Sequence, residues 1–110
     1  MDNLFSEPNG KLDEEQIVPL LAAGTLRIEK IFSHGQASSP DFWYDQAESE
    51  WVALLRGTAT LKFQDGTITR LTAGDYLLIE SHVRHRVEQT SADALWLAVH
   101  YGPLRTAESP

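Results

Sequence analysis

The stretch Gly74-Asp-Tyr-Leu-Leu-Ile-Glu-Ser-His-Val-Arg-His-Arg-Val87 constrains the fold more than any other part of the chain. Ala73-Gly74-Asp75 reads as a tight turn, Tyr76 to Ile79 as a short buried strand, and Glu80 to Arg84 as a polar connection. His85 and Val87 then open the next strand. A histidine that starts a strand directly after a turn sits at the mouth of whatever the strands enclose.

The remaining segments fit around that stretch. Asp2 to Gln16 is polar and acidic, with a turn signal at Pro8-Asn9-Gly10, and is expected to be a loose arm. Asp13 to Gln16 could cap a helical turn, but Pro19 and Gly24 limit it, so residues 1–24 are assigned to an arm with a short turn or edge strand. Thr25 to Phe32 is a first strand with Leu26, Ile28 and Phe32 on one face and Lys30 as the misfit. Phe42-Trp43-Tyr44 is expected to enter a strand. Glu50 to Arg56 is apolar enough to be covered on both faces, which makes Glu50 the odd residue. Gly57, Thr60 to Phe63, the hairpin turn Asp65-Gly66, Ile68 to Leu71, Arg86 to Gln89 and Ala94 to Tyr101 complete the pattern. Short strands at roughly 8–12-residue spacing, without a long helix, predict an all-β antiparallel sandwich or barrel over residues 25–101. Residues 102–110 read as a frayed tail.

Composition narrows the functional classes. The 110 residues fit one domain, and a net charge of −7, from 16 acidic and 9 basic side chains, argues against nucleic acid and anionic membrane surfaces as partners. The absence of cysteine removes disulfides, thiolate nucleophiles and Cys-ligated zinc. The first residues lack a signal-peptide layout, and no apolar run approaches the roughly 20 residues of a bilayer span. A soluble, cytoplasmic protein is expected. The chain carries no G-x-S-x-G, no phosphate-cradling glycine motif and no H-E-x-x-H.

Two spacings resemble the cupin superfamily, small jelly-roll barrels that often hold a divalent metal. Glu50 and Gly57 match the E-x6-G end of the family's first motif, G-x5-H-x-H-x3/4-E-x6-G. Gly74 and His85 match the glycine and histidine of the second, G-x5-P-x-G-x2-H-x3-N. The chain departs from both. The H-x-H positions fall on Tyr44 and Gln46 or on Trp43 and Asp45, while Glu80, His82 and Gln89 stand at the usual proline, glycine and asparagine.

The resemblance implies a single-domain jelly-roll barrel with an interior site at His85 and Glu50. His82, Gln46 and Asp45 are further candidate ligands, and Tyr44, Val52, Val87, Trp96 and His100 are expected to line the pocket. On one regular strand His82 and His85 would point to opposite faces, so His82 can join the site only from a turn. Imidazole nitrogen mixed with oxygen donors suits Fe, Mn, Ni or Zn, with oxygenase or isomerase chemistry on a small organic molecule. The missing H-x-H keeps open a metal-free barrel that binds a small ligand as a sensor or carrier. The resemblance also implies a homodimer, with Thr25 to Phe32 as the exposed edge.

Overall fold

The computed structural model describes residues 1–10 and 13–102, within which the chain forms eight strands and no helix. The strands are Gln16–Ala23 (β1), Leu26–Phe32 (β2), Ser49–Arg56 (β3), Thr58–Phe63 (β4), Ile68–Thr72 (β5), Tyr76–Ile79 (β6), His85–Thr90 (β7) and Leu95–Tyr101 (β8). Among the described residues, therefore, no helix is long and apolar enough to cross a membrane. The tail expected from residue 103 onward lies outside the described residues.

Every ladder is antiparallel. The order β1-β2-β8-β3-β6 makes one sheet and β5-β4-β7 the other. Chain neighbours such as β3 and β4 thus lie in different sheets, and the two sheets close over a shared interior as a jelly roll. Gly57 makes the β3–β4 crossing. Its φ is +85°, and an added Cβ would come within 2.9 Å of the Ala94 Cα. The glycine of the E-x6-G spacing is therefore a steric requirement of the corner.

Three local expectations are corrected. Residues 16–23 form a full edge strand, the alternative the sequence left open for this segment: β1 pairs with β2 from Gln16↔Phe32 to Ala23↔Leu26, and Gly24 at φ +59° permits the tight reversal. Thr25 to Phe32 is consequently not an edge, since β2 lies between β1 and β8. Phe42-Trp43-Tyr44 forms no strand, only a single bridge from Tyr44 to His85. Of the supposedly buried β6, only Ile79 is buried, while Tyr76 and Leu78 face outward at the sheet's far edge. A four-residue edge strand has one covered face and no room to bury the other.

The arm ahead of β1 is tethered. Lys30, the misfit of β2, is buried, and its Nζ donates to the carbonyls of Asn3 and Ser6 at 2.9 and 2.8 Å. Two charge-assisted hydrogen bonds make that burial tolerable.

The core runs along the inward residues of both sheets: Val52 and Leu54 of β3, Ala59 and Leu61 of β4, Leu71, Ile79, and Trp96 and Ala98 of β8. Strand register orders this interior into rows, because directly opposite residues stand about 4.5–5.5 Å apart on one face. One row is Ile31–Trp96–Leu54, the next Glu29–Ala98–Val52, and the last Arg27–His100–Glu50–Ile79. The barrel interior therefore grades from apolar to charged along the strands, and the charged end is where the site lies.

Candidate functional site

The charged row opens into a cavity of about 400 Å³. Tyr44, Gln46, Glu50, Val52, His85, Val87, Trp96 and His100, all named from the sequence, line it together. His82 and Asp45 do not. His82 Nδ1 bonds to Asp45 Oδ1 at 2.7 Å, with side chains 68% and 45% exposed. His82 holds φ +62° at the position where the family pattern has glycine, and its imidazole stands exposed in the turn, outside the cavity lining. Both residues are thus removed from the expected ligand set.

His85 is fixed from several sides. Tyr44 N donates to His85 O at 2.7 Å, His85 N donates back to Tyr44 O at 3.2 Å, and the two rings stack with centroids 5.3 Å apart. His82 N donates to Gln46 O at 2.7 Å, so the 44–46 loop is pinned to the β6–β7 turn and carries Tyr44 and Gln46 into the cavity wall. The His85 ring is buried, and its Nδ1 donates to Val83 O at 2.9 Å. A carbonyl can only accept, so Nδ1 carries the proton, and in the neutral ring Nε2 remains an acceptor.

Glu50 stands across the cavity. Its side chain is 13% exposed and makes no hydrogen bond among the described residues; His100 Nε2 lies 3.9 Å from Oε2. Burial raises the Glu50 pKa above its usual value, with His100 and His85 pulling the other way. Burial likewise raises the Tyr44 phenol, which keeps its proton and can donate.

Arg27 and Glu29 were not among the residues named from the sequence, which grouped Leu26, Ile28 and Phe32 on one face of this strand. The other face, with Arg27, Glu29 and Ile31, lines the cavity, while Phe32 is buried outside it. Arg27 grips Glu48 through Nη2 and Nε at 2.7 and 3.3 Å and reaches Glu29 through Nη1 at 3.2 Å. The guanidinium holds Glu48 below the ordinary carboxylate range. Glu29 also faces His100, Oε1 to Nε2 at 3.1 Å, while His100 Nδ1 is buried, makes no hydrogen bond among the described residues and lies 3.9 Å from Glu48 Oε1. The available signal was period 2 in Arg27, Glu29 and Ile31, together with the even spacing of Glu48 and Glu50.

With this architecture in place, comparison with known proteins is direct. A family model described as "Cupin domain" matches residues 30–100. The chain belongs to the cupin family. Among solved cupin structures, a Ralstonia eutropha JMP134 protein provisionally described as a mannose-6-phosphate isomerase is 40% identical, with TM-score 0.85, covering 92% of this chain and 96% of its own. KdgF from a Halomonas species has TM-score 0.70 at 14% identity, covering 84% and 83% of the two chains. The Streptococcus pyogenes protein SPY1581, of unknown function, has TM-score 0.67 at 20% identity, covering 84% and 78%. These last two share the fold alone. No functionally curated protein matches the chain.

The metal centre implied by cupin resemblance can be tested on the donor set. His85 and Glu50 occupy cupin ligand positions, but the H-x-H positions that line the cavity are Tyr44 and Gln46, a phenol kept protonated and a neutral amide. Among the described residues no group of three or more His, Cys, Asp or Glu side chains is placed to hold a metal ion. The residues present do not fit the three-His-one-Glu centre, and no dioxygen step follows from them.

Proposed function

We propose that this cupin binds a small organic carbonyl compound in its barrel and moves a proton on it without a metal, as an isomerase does. The observation that carries the reading is the placement of a buried carboxyl, Glu50, and an imidazole with an accepting nitrogen, His85, on the walls of one cavity. A carboxylate whose pKa is raised by burial is matched to taking and returning a proton nearer neutral pH. Glu50 is the proton-transfer group, the Tyr44 hydroxyl donates to a substrate oxygen, and His85 Nε2 accepts from a substrate hydroxyl or amine. The apolar rows behind them receive the carbon skeleton and exclude water. The provisional name of the Ralstonia relative, an isomerase, supports the same reaction class.

The test is hydrogen exchange in D2O. Small hydroxy- and amino-carbonyl compounds, with mannose 6-phosphate among them, are incubated with the protein, and deuterium beside the carbonyl is read by mass spectrometry. Exchange should depend on Glu50, with Glu50→Gln losing about 10²–10⁴-fold in rate. Binding with no exchange in the wild type would overturn the catalytic reading in favour of a sensor or carrier.

A further inference from the structure

We infer that the cavity selects a cationic ligand, a small amine whose ammonium group pairs with Glu50, and that it discriminates against phosphorylated or carboxylate-bearing molecules. This rests on the cavity being the functional site, and it goes further by assigning the charge class of what enters.

Three carboxylates, Glu15, Glu29 and Glu50, line the cavity against a single guanidinium, that of Arg27. That guanidinium is already committed. Three of its N–H groups go to Glu48 and Glu29, so an incoming anion would have to compete with both carboxylates for it. Glu50 is the reverse case, a buried carboxyl with no hydrogen bond among the described residues and only an imidazole nitrogen 3.9 Å away. A carboxylate in that position is stabilised by whatever cation is brought to it.

The tautomer of His85 gives a second, independent line. Its Nδ1 proton is spent on Val83 O, so the nitrogen left on this buried, cavity-lining ring is an acceptor in the neutral form. An acceptor opposite an unpaired carboxylate asks for a ligand rich in N–H donors, and a phosphate offers acceptors only. The name of the Ralstonia relative therefore transfers to this chain, at most, as a reaction class, without the phosphate. The apolar wall of the cavity, made by Ile31, Val52, Leu61, Val87 and Trp96, takes hydrocarbon and sets the ligand's shape as one polar head on a short apolar body.

The inference is tested with four probes that differ only in their heads: n-butylammonium, 1-butanol, butyrate and monobutyl phosphate. Each is titrated into chelator-treated, full-length protein, with amide shifts read by two-dimensional NMR. The expected result is saturable shifts around Arg27, Glu50, His85 and His100, with n-butylammonium at least about tenfold tighter than either anion and tighter than the alcohol, as a hydrogen bond to a charged group warrants. Glu50→Gln, checked for a native-like spectrum, should lose about tenfold for the ammonium, a larger loss than for 1-butanol. The wild-type series decides the matter even if that variant fails to fold. Anions binding as tightly as the ammonium, or the alcohol matching it, would overturn the charge assignment and leave the small-molecule site standing. Four probes with no effect on cavity residues would overturn both.

Discussion

Replacing Gly57 with alanine should cost far more than the single methyl group suggests. The left-handed backbone, φ +85°, costs an L-residue about 1–2 kcal/mol. The new Cβ would also meet the Ser91 hydroxyl and come within 2.9 Å of both the Ala94 Cα and Asp93 Oδ1. Ser91 cannot swing aside freely, because its Oγ accepts from Thr58 N at 2.9 Å and donates to Asp93 Oδ1 at 2.8 Å. Overpacking against such groups costs about 1–3 kcal/mol more, for a total of about 2–5 kcal/mol. At about 4 °C per kcal/mol for a domain of this size, Tm should fall by about 8–20 °C. Gly66→Ala is the matched control: its φ is +96°, yet nothing lies within 4 Å of the added Cβ, so it should lose only the backbone part. Circular-dichroism melts of the two variants measure the difference. Equal losses would refute the steric argument and leave φ as the whole reason for glycine in the E-x6-G spacing.

Arg27→Met should destabilise the protein at neutral pH by about 1 kcal/mol or less, the ion pair being partly exposed. Arg27 depresses the folded-state pKa of Glu48 below its ordinary value of 4.5, so that stability is full above pH 4.5 and lost as pH falls through the folded value. The gap between wild type and variant in urea titrations should therefore close in acid; a gap that widens there would contradict the assignment. Elemental analysis of tag-free protein should find transition metal well below one per chain and no change in His85→Ala, whereas near-stoichiometric metal lost in that variant would reinstate a metal centre. We propose that the chain is a homodimer in solution, so light scattering should give twice the 12.3 kDa chain mass, and a monomeric mass would remove the proposal.

How much of this was legible in the sequence differs sharply between strands. The turns at Gly57, Asp65-Gly66 and Gly74 punctuate β3 to β6 so clearly that their limits could be read within a residue or two. Glu50 stood out as a carboxylate at the head of an apolar strand, and His85 by its spacing from Gly74 and its place at the opening of a strand. β2 was hard to read because it carries apolar side chains on both faces, and the more hydrophobic set, Leu26, Ile28 and Phe32, is not the one that lines the cavity. What makes Arg27 acceptable inside is Glu48, 21 positions away, and what makes Glu29 acceptable is Arg27 together with His100 on β8, and periodicity carries no information about such distant partners. The position of His82 was illegible for a related reason: spacing from His85 does not reveal a left-handed turn residue. β1 was hidden by Pro19, a residue that argues against strands in general but is at home on an outermost one.

That outermost strand leaves Ile17, Leu20 and Leu21 roughly half exposed along a row of backbone groups with no neighbour in the sheet. A straight apolar strand in this place would be a template on which further copies could stack into fibrils. The ladder of β1 is instead interrupted midway. Leu20 is an extra residue between Pro19↔Glu29 and Leu21↔Ile28, and Pro19 has no N–H to offer. The kink that made this segment hard to recognise as a strand thus also guards the protein against runaway self-association. Straightening β1 with Pro19→Val would trade that guard for a smoother hairpin.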